Sequence, residues 1–250
     1  MQKGFYFLQR RPGMTREEYI TYYETVHRPL IMANLPRPLD FRRHFPLWSP
    51  SAQTISAAIR FDSLTAITYK SREAFMDAYK RYSSSSFNPI VVEDETKFLD
   101  RGRMSFVPVE EVIEAHSDDD FWCPAPRSPG GKLLRFVWRP DEMDALEFRA
   151  RERSTAGARA LLEGCFEVRR NYLMPDDPLA YSTEDLAGID RLTDYRRCDA
   201  VEEYSFAADG DARAALARMV RPDFGARNGP AALQVETVAC NHFVSVYEEG

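Results

Sequence analysis

The chain has 250 residues, 44% hydrophobic and 12% aromatic, and its 33 basic and 39 acidic side chains give a formal net charge of −6. This composition excludes a disordered chain, because ample apolar surface can be buried on folding, and it argues against a nucleic-acid partner, which needs clustered and uncompensated basic residues. No apolar run approaches the roughly 18 residues of a membrane span. The N-terminus enters a strand-like run at once and leaves no room for a secretory signal. We therefore expect a cytoplasmic protein without a membrane partner.

The first half is predicted to contain a strand, a helix, two strands, a helix and a final strand. Gly4–Arg10 is almost wholly apolar, which is typical of a strand that is covered on both faces. The first helix opens at a capping-box match over residues 15–18, and its buried stripe is expected to comprise Tyr19, Tyr22, Tyr23, Val26, Leu30 and Ile31. The remaining predicted elements are the strands Phe41–Trp48 and Thr54–Phe61, the helix Ser71–Tyr82 and the strand Arg103–Val109.

The second half repeats this order less cleanly. Lys132–Pro140 resembles the opening run Lys3–Pro12, and an Arg-Arg pair recurs at Arg169 and Arg170. We place a first unit at residues 1–115, a Pro/Gly-rich linker at 116–131 and a second, diverged unit at 132–250. The fold class is predicted to be α+β, with two tandem ferredoxin-like βαββαβ units whose antiparallel sheets pack as an intrachain α+β barrel. This arrangement is a pseudo-dimer within one chain, and a further homodimer remains open.

Two separated motifs carry a resemblance to a known family. The first runs from Arg10-Arg11-Pro12-Gly13-Met14-Thr15 through the tyrosine-rich helix to His27-x-Pro29-Leu30, and the second is the segment Glu93–Asp100. Together they resemble the EthD family of the dimeric α+β barrel superfamily. The resemblance implies a cofactor-free protein with a cavity between its sheet and helices. The superfamily includes isomerases, polyketide cyclases, cofactor-independent monooxygenases and haem-degrading enzymes, and fungal EthD-type proteins are associated with decarboxylation or dehydration of aromatic polyketides.

His27 is the sharpest candidate for a catalytic residue. It lies four residues after Tyr23 and eight after Tyr19, so it faces along the aromatic stripe, while Pro29 removes a backbone donor and should bend the helix beside it. A histidine in such a place can exchange a proton near neutral pH, although it could equally be a packed histidine. The resemblance makes Asp94 its partner, and the alternative role for Asp94 is an N-cap of a short turn over residues 95–99.

Substrate-binding residues are expected around this pair. Tyr19, Tyr22 and Tyr23 would form an aromatic wall. Arg42, Arg43 and His44 lie on a strand whose side chains alternate between faces, so one arginine should reach the cavity and hold an anionic group. An ion pair of the arginines with Asp40, Asp62 or Glu93 is the structural alternative.

No metal site and no cofactor are expected. The pair Glu24-x-x-His27 lacks further ligands, and in the second half Ala156 is aligned with His27, which leaves the first half as the active one. The predicted function is a cofactor-independent lyase, a decarboxylase or dehydratase, which acts on a small aromatic or polyketide-like acid through His27. The alternatives are a non-catalytic accessory protein that binds a hydrophobic ligand, and a cofactor-free monooxygenase or isomerase.

Overall fold

A computed structural model describes residues 1–47, 61–82, 84–115, 131–140, 142–154, 165–182, 198–206, 209–219 and 234–246. Its strands are β1 Gln2–Leu8, β2 Asp40–Pro46, β3 Ser63–Tyr69, β4 Ser105–Ala115, β5 Gly131–Trp138, β6 Cys165–Leu173, β7 Tyr181–Ser182, β8 Ala200–Phe206 and β9 Gln234–Val246. Its helices are α1 Arg16–Tyr22, a π-helical turn Tyr23–His27, α2 Arg28–Asn34, α3 Arg72–Tyr82, α4 Asn88–Glu95, a short 3₁₀ turn Arg101–Arg103, α5 Ala145–Ser154 and α6 Asp209–Met219.

The strands close into an antiparallel barrel. Two four-stranded sheets, β4-β1-β3-β2 and β6-β8-β5-β9, join edge to edge through the β2–β9 and β4–β6 pairs, and β7 adds to β4. β4 is long because it pairs with β1 over its first residues and with β6 over its last ones. Closure leaves no free edge between the two sheets. The predicted α+β fold with an intrachain barrel is therefore confirmed.

Alternation along each strand divides the core into layers. Side chains on one face of the strands fill the barrel interior, where residues of both halves meet: Phe5, Phe7, Leu64, Val107, Leu134, Phe136 and Val201. The opposite face of the first sheet packs under its helices through a cluster that includes Leu8, Tyr19, Tyr23, Phe45, Phe75, Phe98 and Phe106. The candidate site lies in this second layer, between sheet and helices.

The third strand differs from the prediction. The strand that pairs with β1 and β2 is Ser63–Tyr69, not Thr54–Phe61, of which residues 54–60 lie outside the described residues. All of β3 is buried, including the hydroxyl side chains of Ser63 and Thr65. Because these side chains are polar, the hydrophobic pattern of the sequence does not indicate a buried strand here. In the structure both hydroxyls are hydrogen-bonded, to Tyr19 and Tyr23.

The linker predicted at 116–131 lies outside the described residues, apart from Gly131. Of the described helices, none combines the length and apolar character that crossing a bilayer requires.

Candidate functional site

Local sequence signals shape the helical segment that carries His27. The predicted capping box is present: Thr15 Oγ1 accepts from Glu18 N at 3.2 Å, and Glu18 Oε2 accepts from Thr15 N at 2.8 Å. Pro29 has no N–H to donate to the Thr25 carbonyl. The segment remains helical by widening into a π-turn at Tyr23–His27, in which the Arg28 N–H donates to the Tyr23 carbonyl. Such single π-turns occur frequently at functional sites.

The wider turn changes which residues the helix buries. Tyr19, Tyr23, His27 and Ile31 are all buried at successive spacings of four. Val26, which was predicted in the buried stripe, is 42% exposed, so that prediction was wrong. Val26 thus lies outside the buried stripe, whereas His27 lies on the face that meets the sheet.

His27 and Asp94 form a hydrogen-bonded pair. His27 Nδ1 donates to Asp94 Oδ2 at 2.7 Å, and the Tyr22 hydroxyl donates to Asp94 Oδ1 at 2.9 Å. Burial acts to raise the pKa of Asp94, but the hydrogen bonds from His27 and Tyr22 outweigh it, so the pKa lies below its usual value. Asp94 lies in the last turn of α4 and does not begin a helix, so the N-cap alternative is wrong.

The two imidazole nitrogens of His27 differ in their hydrogen bonding. Within the part of the chain that the structure describes, no group makes a hydrogen bond to His27 Nε2. The ring packs against two aromatic side chains, with its centroid 4.8 Å from that of Phe98 and 5.1 Å from that of Tyr23. A carboxylate on Nδ1 fixes the tautomer and leaves Nε2 as the basic atom. The pair can therefore take a proton at Nε2 and return it.

The three tyrosines predicted to form an aromatic wall lie around this pair, but they differ in burial and in hydrogen-bond partners. Tyr19 and Tyr23 are sealed, with their hydroxyls bonded to Ser63 Oγ at 2.7 Å and Thr65 Oγ1 at 2.9 Å, and burial raises the pKa of both phenols. Tyr22 is half-buried, and burial together with its hydrogen bond to Asp94 raises its pKa to about 12. All three phenols therefore stay neutral at pH 7.

Arg43 is the arginine on the helix side of the sheet. Its Nε and Nη2 atoms each lie 2.9 Å from the carboxylate of Glu24, Nη1 donates to the Phe41 carbonyl, and the side chain is buried. The guanidinium is thus engaged by groups of the protein.

Arg42 and His44 face the barrel interior, on the other side of the sheet from His27. Arg42 Nε donates to Asp40 Oδ2 at 2.6 Å, which is the structural alternative foreseen for this residue. His44 Nε2 lies 3.3 Å from Glu203 Oε2, and burial lowers the pKa of His44 to about 4. The structure thus brings His27, Asp94 and the tyrosines together and places Arg42 and His44 elsewhere.

Two residues of this layer did not emerge from the sequence as site residues. Phe98 stacks on Tyr22 and Tyr19 at centroid distances of 5.1 and 5.7 Å and contacts His27. Glu95 is 3% exposed and accepts hydrogen bonds from Tyr82 and Arg101. Both lie in the Glu93–Asp100 motif, which is the signal that could have identified them.

The corresponding layer of the second half contains a cluster of buried ion pairs between its apolar clusters. Arg135 and Arg170 donate to Glu202 at 2.6 and 3.1 Å, and Arg170 also donates to the Glu152 carbonyl at 2.8 Å. All four side chains are buried. Ala156 lies outside the described residues. Across the described ranges of the whole chain, no group of three His, Cys, Asp or Glu residues could hold a metal ion.

Comparisons with known proteins agree with this architecture. Residues 11–102 match the EthD domain family. An anthrone oxidase-like protein of known structure aligns with 99% of this chain and 93% of its own, at 12% identity and a TM-score of 0.53. A protein of Fusobacterium nucleatum subsp. nucleatum, assigned as a monooxygenase, aligns over 98% and 94% at 7% identity and a TM-score of 0.50. No curated protein matches the sequence.

At these identities the likeness to the solved structures is one of fold. The family match covers part of the first half. Residues 11–102 match the EthD domain family, and these residues lie in the first half of an α+β barrel.

Proposed function

We propose that the protein is an oxygenase of electron-rich aromatic compounds, in which His27 Nε2 removes a proton from the substrate and the resulting anion reacts with dioxygen. The observation that carries the proposal is the His27–Asp94 pair, with Nδ1 held at 2.7 Å from the carboxylate and with no hydrogen bond to Nε2 from the described residues. Deprotonation is the step that an acid–base pair of this kind can accelerate.

An aromatic carbon acid makes this chemistry feasible. A CH₂ group between aromatic rings loses a proton to His27, the carbanion transfers electrons to dioxygen, and loss of water from the resulting peroxide leaves a ketone. The balance is R₂CH₂ + O₂ → R₂C=O + H₂O, in which the substrate supplies all the electrons. An imidazolium next to Asp94 stabilises the charge that develops in the first step. The names of the two structural neighbours, an anthrone oxidase-like protein and a protein assigned as a monooxygenase, support this direction.

The lyase predicted from the sequence is the second candidate. The lyase would use the same acid–base residue, His27, as the oxygenase. Decarboxylation and dehydration also need a proton to be taken or given beside an aromatic system. The neutral Tyr22 hydroxyl, bonded to Asp94 at 2.9 Å, supports it by placing a further O–H beside the pair. The two candidates differ in the step that comes after proton transfer, and therefore in whether dioxygen is consumed.

The test measures oxygen uptake and products with anthrone, hydroquinone and aromatic acid probes. For a probe that the wild type converts, His27→Ala is expected to lower turnover by about 10²–10⁴-fold, because it removes the only proposed proton acceptor. Val26→Ala is the matched control, since Val26 is an exposed neighbour in the same π-turn, and it should keep wild-type turnover.

Each outcome decides between the candidates. Oxygen uptake that depends on His27 supports the oxygenase, and release of carbon dioxide or water without oxygen uptake supports the lyase. Saturable binding of a probe without any conversion supports the non-catalytic ligand-binding alternative. A folded His27→Ala variant whose turnover is within a few-fold of wild type would refute the role of His27.

A further inference from the structure

The π-turn that carries His27 is attached to the sheet through its first two residues. The Tyr23 hydroxyl lies 2.9 Å from Thr65 Oγ1. The carboxylate of Glu24 accepts two hydrogen bonds from Arg43, from Nε to Oε1 and from Nη2 to Oε2, each at 2.9 Å. Arg43 and Thr65 lie directly opposite each other on β2 and β3. Two consecutive residues of the turn are therefore bonded to one cross-strand pair of the sheet.

The Arg43 side chain is itself held in one position. It is 1% exposed, its Nη1 donates to the Phe41 carbonyl, and its guanidinium carbon lies 4.8 Å from the centroid of the Phe41 ring. Two parallel hydrogen bonds from a planar guanidinium to a carboxylate fix the orientation of both groups. The sequence predicts an arginine that holds an anionic group of the substrate, whereas the carboxylate that Arg43 holds is that of Glu24.

The position of His27 depends on the register of this turn. The turn is closed by the bond from the Arg28 N–H to the Tyr23 carbonyl, which joins residues five apart where a regular α-helix joins residues four apart. Successive residues of a helix are turned by about 100° around its axis. A change of register by one residue would therefore carry the imidazole away from Asp94, whose Oδ2 lies 2.7 Å from Nδ1. Bonds from the turn to a fixed point on the sheet oppose such a change.

The second half contains an equivalent arginine that binds other groups. Arg170 is the second residue of the recurring Arg-Arg pair and is 1% exposed, as Arg43 is. Its Nη1 donates to the Glu152 carbonyl at 2.8 Å, and its Nε donates to Glu202 at 3.1 Å. The alignment of the two halves places an alanine opposite His27. Arg170 is thus a buried arginine between helix and sheet in the half that carries no counterpart of the acid–base histidine.

We propose that Arg43 is a positioning residue of the site: its bidentate pair with Glu24 holds the π-turn in the register in which His27 bonds to Asp94. For turnover this role rests on the proposed function, because the position of the imidazole matters there only if His27 exchanges a proton. Its structural content, the placement of Nδ1 at the Asp94 carboxylate, can be measured without a substrate.

The test without a substrate determines which ring nitrogen of His27 carries the proton. Long-range ¹H–¹⁵N NMR spectra of the intact chain report this for each histidine, and His27→Gln identifies the His27 signals. The wild type should carry the proton on Nδ1, because the Asp94 carboxylate accepts it. Arg43→Lys keeps the charge but loses the two parallel hydrogen bonds. At about pH 8 its His27 is expected to show the mixture of tautomers of a free, neutral imidazole.

Arg170→Lys is the matched control. It makes the same substitution at the equivalent buried position, so it should leave the proton of His27 on Nδ1 even if it lowers the free energy of unfolding as much. With a probe that the wild type converts, Arg43→Lys is expected to lower kcat by about 10-fold or more and to change KM by less than about 3-fold, because a misplaced base slows the chemical step. Arg170→Lys should leave kcat at the wild-type level.

An unchanged preference for Nδ1 in Arg43→Lys, or equal effects of Arg43→Lys and Arg170→Lys, would overturn the proposal. If Arg43→Lys does not fold, Glu24→Leu combined with Arg43→Met answers the same question, because replacement of a buried ion pair by apolar side chains of similar volume is often neutral for stability. The preference for Nδ1 should be lost in this double variant too, and its retention would overturn the proposal. Absence of all turnover in the wild type refutes the proposed function and leaves the NMR result intact, so the two failures are distinguishable.

Discussion

At the scale of single residues, Asp94 determines which nitrogen of the His27 ring carries the proton. A free imidazole exposes two nitrogens of similar basicity, and the carboxylate at 2.7 Å assigns the proton to Nδ1. The Tyr22 hydroxyl occupies the other carboxylate oxygen at 2.9 Å and fixes the rotation of the carboxyl group. Tautomer and orientation are thus set by side chains that come from two different helices.

Replacement of Asp94 by Asn tests whether Asp94 fixes the tautomer and orientation of His27. The amide keeps the size of the side chain but loses the charge and no longer imposes one tautomer, so kcat/KM is expected to fall by about 10²-fold or more. Tyr22→Phe removes only the hydrogen bond to Oδ1 and should cost about 10-fold or less. Steady-state kinetics of both variants on a converted probe provide the measurement, and an Asp94→Asn enzyme as active as Tyr22→Phe would contradict the assignment.

The pH dependence of Asp94 has a defined sign. Its folded pKa lies below the ordinary value of 3.8, so the carboxylate and the stability that it contributes are present above that value and are lost only as the pH falls through the lower folded pKa. Activity lost on acidification above about pH 4 is therefore not due to protonation of Asp94.

The sequence predicted this residue pair better than its surroundings. Spacing along the helix and the family motif identified His27 and Asp94. Glu95 was not identified as a buried residue of this layer, because its hydrogen bonds come from Tyr82 and Arg101, which reach it from α3 and from the 3₁₀ turn. Burial and partners of that kind follow from the tertiary structure and leave no local pattern.

At the scale of elements, the hydrophobic periodicity of the sequence predicts a helix or strand correctly where one face of the element is apolar. The prediction fails where buried polar side chains bond to each other across layers. The helices α1 and α3 and the strands β1 and β2 follow from their patterns. Strand β3 did not, since Ser63 and Thr65 are polar residues that are nevertheless buried, with their hydroxyls bonded to Tyr19 and Tyr23. The sequence predicted only a bend at Pro29 and not the π-turn. The sequence does not specify how the helix adjusts to the missing backbone N–H of Pro29.

A glycine in β1 controls how closely β4 can approach. A Cβ atom on Gly4 would overlap the ring of Phe106, which lies stacked on Phe75 at a centroid distance of 5.2 Å. Gly4→Ala is expected to destabilise the protein by about 1–3 kcal/mol, the usual effect of overpacking a filled core.

Urea unfolding of Gly4→Ala against a matched glycine variant measures this effect. Gly210, in the first turn of α6, has open space around its Cβ position, so Gly210→Ala should change the free energy of unfolding by about 0.5 kcal/mol or less, or stabilise the helix. Equal stabilities of the two variants would show that the Phe106 ring moves aside without cost.

At the scale of the whole molecule, the two halves are joined by buried charges as well as by strand pairing. Inside the barrel, Lys3 lies 3.1 Å from Glu203 and Arg42 lies 3.3 Å from Glu167, and both contacts span the two halves. Lys132 joins Glu203 at 3.2 Å from within the second half. A charge left without its partner there would be costly. This favours pairing of the first half with the second over pairing of like halves. The sequence predicted a barrel but not this charged interior, because strand alternation does not reveal which face turns inward.

His44 makes the stability of this interior depend on pH. Burial lowers its pKa to about 4, while the unfolded chain has the ordinary value of about 6.5. Between these values the unfolded state binds a proton that the folded state does not, so stability falls as the pH falls from 6.5 to 4. The expected loss for this group between pH 7.5 and pH 5 is about 2 kcal/mol.

His44→Asn isolates this contribution, because Asn171 already occupies the equivalent position of the second Arg-Arg strand, fully buried and bonded to Glu203 at 3.1 Å. Urea unfolding at pH 7.5, 6 and 5 should show a smaller decline for the variant than for the wild type. Glu95, whose pKa is raised by burial, acts in the opposite direction above pH 4.5, but it is present in both proteins and cancels in the comparison. Parallel declines in the two proteins would mean that the folded barrel accepts a proton at His44 as readily as the unfolded chain does, and the ring would then be charged beside Glu203 below about pH 6.5.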